Sequence, residues 1–152
     1  MKKFLSQIAL VALSLVLTTH FVKAADNDGW TTDYPKALAE GKAQKKMVML
    51  DFTGSDWCEW CIKLKKEVFS QPKFKEYAAK NLILVELDYP NDKPQSIEIK
   101  KQNSALLNKY NSEGIFPAII VLNSDGKRIG ELSYVPGGPD AFLAELKKAT
   151  KS

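Results

Sequence analysis

Met47-Val48-Met49-Leu50-Asp51-Phe52-Thr53-Gly54-Ser55-Asp56-Trp57-Cys58-Glu59-Trp60-Cys61 is the stretch that decides how this chain is read. Met47 to Phe52 is an apolar run broken by a single acid, the pattern of a strand buried on both faces. Thr53 to Asp56 are turn residues that end in a ready helix cap. A helix is predicted from about Trp57 to Phe69, with Cys58 in its first turn, where backbone N–H groups lack partners. Those dipoles favour a thiolate over a thiol. Only the thiolate attacks a disulfide, so Cys58 reads as a nucleophile. Cys61, one turn on, reads as the residue that closes the ring and expels the bound partner.

Two other readings of the pair stay open. A disulfide could simply staple the fold, but a closed loop of about four residues contributes only about 2 kcal/mol, against about 3 for fifteen. Two thiolates could instead hold copper(I), with Met47, Met49 or a second chain as a further ligand. Both methionines fall in the predicted buried strand, where filling the core is the competing job. The chain has two cysteines and one histidine, His20. A four-ligand Cys/His zinc site within one chain is thereby excluded, so no metal site is expected. No imidazole is at hand to activate a nucleophile once the leader is gone.

The leader is the first stretch of the chain. Lys2 and Lys3 precede an apolar run from Ile8 to Leu17, and Val22-Lys23-Ala24 supplies small residues at the cleavage positions. That is the layout of a secretory signal peptide over residues 1–24, leaving a single domain over 25–152 and placing it in the periplasm or outside the cell. An uncleaved anchor is the alternative, but Ser6, Gln7, Thr18, Thr19 and His20 make a poor spanning helix. The chain carries 22 Lys+Arg and 18 Asp+Glu, a net charge of +4. Three of those lysines lie in the leader, so the remainder is nearly neutral. With no basic block interleaved with aromatics, a nucleic-acid partner is not expected.

Outward from the central stretch, residues 25–31 read as a polar lead-in and Tyr34 to Lys46 as a first helix, with Pro35 in its first turn. Pro72 opens a helix to about Asn81, and Leu82 to Leu87 is a second apolar strand. Asp88 to Gln102, rich in Pro, Lys and Asn, reads as a long surface loop, followed by a short helix from Ser104 to Tyr110. Ala118 to Leu122 is a third strand, and Asn123-Ser124-Asp125-Gly126 turns the chain into Lys127–Tyr134. Asp140 to Lys148 closes with a helix that carries Phe142, Leu143 and Leu146 on one face. Helix-linked strands followed by a hairpin predict an α/β fold, a mixed central sheet with helices on both faces.

With Trp57-Cys58-Glu59-Trp60-Cys61 after an apolar strand, the chain resembles the thioredoxin-like family, closest to its exported bacterial members. The likeness continues through Gly114-Ile115-Phe116-Pro117-Ala118, the hairpin at Asn123–Lys127, Gly130 and the last helix, over roughly residues 33–150. It implies the thioredoxin fold and a protein-disulfide oxidoreductase that needs no cofactor beyond a redox-active Cys58–Cys61 disulfide. Its substrates would be protein disulfides or dithiols. A membrane electron-transfer partner is implied if it reduces them, and the protein would be a monomer.

The resemblance also implies a cis Pro117 placed against the cysteines, with the Phe116 backbone offered to an extended substrate. Asp51 resembles a buried acid that deprotonates the resolving cysteine, although one extra residue separates it from Cys58. A polar strand end in water is the rival reading. Trp57 would shape the site or pack in the core. Glu59 and Trp60 replace the family's usual Gly-Pro, adding a negative charge and bulk beside the sulfurs. Two rivals to catalysis remain: a peptide-binding module at Phe116-Pro117 with idle cysteines, and a copper(I) chaperone.

Overall fold

The computed structural model describes residues 28–151, so the leader and His20 lie outside the described residues. Five strands form one mixed sheet: β1 (Trp30–Thr31), β2 (Met47–Thr53), β3 (Leu82–Asp88), β4 (Ala118–Leu122) and β5 (Arg128–Leu132), in the order β1-β3-β2-β4-β5. β1, β3 and β2 run parallel, whereas β4 is antiparallel to both β2 and β5. The helices are α1 (Tyr34–Gln44), α2 (Glu59–Leu64), α3 (Pro72–Asn81), α4 (Ile97–Tyr110) and α5 (Gly138–Ala149). α2 runs on into one π-helical turn over Lys65–Phe69.

The period of two along each strand sorts the core into two layers. Val48, Leu50 and Phe52 face α1 and α4, meeting Ala37, Val85, Leu87 and Leu106. Met49 faces the other way, against Leu64, Val68, Phe74, Phe142 and Leu146. Asp51 is the next residue on that second face, at the end where the layer opens towards the cysteines. Its parallel neighbour on β3 is Glu86. The Phe52↔Ala118 register brings Pro117 level with the end of β2.

Five details depart from the sequence reading. The supposed lead-in contains β1, whose two residues pair with Leu84 and Val85; a strand that short has no periodicity to detect. α4 begins at Ile97, so the loop after β3 is much shorter than 88–102. Ser96 caps it by accepting the Ile99 N–H, and exposed Ile97 breaks the amphipathic pattern that would have shown the helix. Cys58 is the N-cap of α2 and stands just outside its first turn. The π turn inserts a residue into what reads as one uniform helix, and α5 starts two residues earlier than expected, at Gly138.

Candidate active site

Cys58 and Cys61 form a disulfide at the start of α2. As N-cap, Cys58 has extended backbone, and its Sγ accepts the Cys61 N–H at 3.2 Å. An orphan helix N–H thus points at that sulfur, the arrangement that stabilises negative charge there once the bond opens. Both cysteines are nearly buried, with 6% and 4% of their surface exposed.

The turn leading to Cys58 is tied by hydrogen bonds to the end of β3 and the chain just beyond it. Ser55 donates to Asp88 through its N–H and its hydroxyl, at 2.9 and 2.6 Å. Asp56 accepts the N–H groups of Asp92 and Asn91 at 2.9 and 3.0 Å, which hold its carboxyl below the usual carboxylate range. The Trp57 indole donates to the Tyr89 carbonyl at 2.7 Å, and the Tyr89 N–H to the Thr53 carbonyl at 2.9 Å. The extra residue between Asp51 and Cys58 is therefore absorbed in a fixed turn. Gly54 is required there, because a Cβ would lie 2.3 Å from the Trp57 ring. Trp57 packs edge-on against Phe116 with centroids 5.4 Å apart and is 44% exposed, so it shapes the surface and is not core.

On the inner side, Asp51 and Cys61 line one cavity of about 340 Å³, together with Thr53, Ser55, Lys65 and Glu86. Asp51 is 7% exposed and its Oδ1 has no hydrogen-bond partner among the described residues. An unpaired buried carboxylate is costly, so burial, then Glu86 and Asp88, push its pKa up to about 8, against a lowering pull from Lys65. Asp51 is thus enclosed, and the reading of a strand end in water fails. A carboxyl of that affinity near neutral pH suits the exchange of a proton with a neighbouring thiol.

The Phe116–Pro117 peptide bond is cis, and the Pro117 carbonyl accepts the Ser133 hydroxyl at 2.8 Å. Trp60 is 53% exposed and leans on Tyr134, with ring centroids 5.1 Å apart. The Lys63 ammonium sits 5.1 Å from both rings, and the Tyr134 hydroxyl donates to Glu67. Glu59 is exposed. Met49 is fully buried in the core and Met47 packs against the same cluster, which leaves both as core filling.

Residues 29–124 match the family model described as thioredoxin-like. The chain belongs to the thioredoxin-like family. Among its thioredoxin-like relatives, a protein of Chlamydia pneumoniae named "Disulfide bond reductase DsbH" is 36% identical over 128 residues, covering 84% of this chain and 76% of that one. A second from the same organism, "Thioredoxin-related protein DsbJ", is 33% identical, but the match spans only 37% of its length. Among solved structures, "DsbH Oxidoreductase" superposes with a TM-score of 0.74 at 30% identity, covering 86% of this chain and 92% of that one.

Within this thioredoxin-like site, the structure gathers Cys58, Cys61, Trp57 and Phe116 at the disulfide, with Asp51 behind it and Trp60 on the rim. Sequence reasoning missed Glu86 and Lys65. Glu86 could have been flagged, since it interrupts the apolar strand Leu82–Leu87 much as Asp51 interrupts Met47–Phe52. Lys65 carried no signal distinguishing it from its lysine neighbours.

Proposed function

We propose that this thiol–disulfide oxidoreductase works in the reducing direction, on protein disulfides outside the cytoplasm. The observation that carries the exchange chemistry is the asymmetry of the pair: Cys58 is capped by a helix N–H, and Cys61 lines one cavity with an enclosed acid. In the reduced protein the Cys58 thiolate attacks a substrate disulfide, forming a mixed disulfide and releasing one substrate thiolate. Asp51 takes the Cys61 proton. The Cys61 thiolate then attacks the Cys58 sulfur, releasing the second substrate thiolate and closing the ring.

The reducing direction is supported by the name of the relative covering 76% of its own length. Export is supported by the leader-like composition of residues 1–24. Continued reduction there requires electrons from a membrane partner, because the cytoplasmic thiol pools do not reach that compartment. Trp57, Glu59 and Trp60 with the Phe116-Pro117 backbone form the surface that receives an extended substrate chain.

Reduction of insulin disulfides by the purified protein, with dithiothreitol as electron source, tests the reading. Turnover above the dithiothreitol background is the expected result. Redox titration against glutathione then fixes direction: a potential near that of thioredoxin supports reduction, whereas one near that of strong oxidants overturns it.

A further inference from the structure

The floor of the cavity behind Cys61 is closed by an ion pair that the proposed reaction does not yet use. Lys65 Nζ stands 3.5 Å from Glu86 Oε2, a long contact, and the lysine side chain is more than half exposed. Glu86 is the parallel-strand neighbour of Asp51 on the same face. The same pair also lines a second cavity with Trp30, Thr31 and Phe69, so it forms the partition between two openings. Lys65 is the first residue of the π turn. The remaining charged groups around Asp51 are already engaged or peripheral. Asp88 is held by Ser55, Lys93 donates to the Ser55 hydroxyl, and Lys66 stands at the cavity wall. β4 offers only apolar Ile119 at the Asp51 level.

We propose that Lys65 and Glu86 are positioning residues that act through Asp51 in opposite senses, setting how readily it accepts the Cys61 proton. This rests on the reading of Cys61 as the resolving cysteine and Asp51 as its base. Lys65 stabilises the carboxylate that must be present before the proton moves. Glu86 opposes that carboxylate directly and also draws the ammonium away from it. The resolving half of the exchange is thereby tuned from outside the Cys-x-x-Cys segment. The balance is simple: the proton passes from Cys61 Sγ to Asp51, and the electron pair left on Cys61 forms the new S–S bond as substrate thiolate leaves.

The test mixes the reduced protein with dithiodipyridine, an uncharged disulfide whose thiopyridone product absorbs light. The first release reports Cys58 attack and the second reports resolution by Cys61, each followed against pH. For Lys65→Met the pH midpoint of the second release should rise by about one unit, and for Glu86→Gln it should fall by a similar amount. Lys65→Arg keeps the charge and should keep the midpoint, which also controls for folding. A pair with a merely structural role would give shifts of the same sign, or none, and either result overturns the inference. A first release that survives in Cys58→Ser would instead overturn the underlying assignment of roles, and the inference with it.

Discussion

On the Cys58 side of the disulfide the neighbours are aromatic and at least partly exposed, whereas on the Cys61 side they are ionisable and gathered around the buried Asp51. Trp57 and Trp60 present apolar surface there, and Trp57 packs on half-buried Phe116. Asp51, Glu86 and Lys65 offer charge to a proton. Two sulfurs joined in one small ring thus stand in different surroundings. A symmetric environment would leave the choice of attacking sulfur to chance; in the proposed mechanism the capping N–H and the buried acid both assign it to Cys58.

The largest way to break this comparison is to remove one sulfur at a time. Cys58→Ser should lower insulin reduction by about a thousandfold or more, while Cys61→Ser should accumulate a mixed disulfide visible on a non-reducing gel. The reverse pattern would exchange the two roles.

Asp51→Asn comes next. It should slow the second thiopyridone release by about a hundredfold at neutral pH while leaving the first unchanged. It should also alter stability. Burial raises the folded carboxyl to about 8 from an unfolded value of about 4. Between those values the folded state keeps a proton that the unfolded state has lost. Stability of the parent therefore falls as pH rises from about 4 to about 8 and is level above. Urea unfolding should find Asp51→Asn more stable at neutral pH, by about 4 kcal/mol, with that slope gone. An unchanged slope would mean that Asp51 ionises freely in the fold.

Gly54→Ala sharpens the comparison on the exposed side. The added methyl must displace the Trp57 ring, and a thermal melt should show a loss of about 1–2 kcal/mol. Cys58 attack should slow, and the pH profile of resolution should not move. The smallest effect belongs to Trp60→Ala, expected to raise KM for peptide disulfides about threefold with kcat held. A change in kcat alone would place Trp60 in the chemistry and not in substrate contact.

The sequence spoke clearly wherever a signal was local. The apolar strand, the turn, the spaced cysteines and the closing helix each lie within a dozen residues, and the sheet with helices on both faces follows from their order. Even the enclosed Asp51 can be anticipated, because Met47, Met49 and Asp51 must share a face if Met49 is core. What escaped was set by contacts distant along the chain. β1 exists because Trp30 and Thr31 find β3, fifty residues away. The meeting of Lys65 with Glu86 joins a helix and a strand distant along the chain, and the Glu86 pairing with Asp51 comes from the β2–β3 register; neither has a signature in composition. The bonds holding the turn before Cys58 likewise join segments that look unrelated in the sequence.

The order of the strands carries one more consequence, for solubility. A sheet's outermost strands have unpaired backbone groups on one side, open to any extended chain that passes. Here one border is only two residues long, and the other carries Arg128 and Glu131, paired with each other on its outer surface. The interior strands hold the long apolar runs, and none of them is a border. An extended chain passing either border thus finds little free edge on which to add a strand.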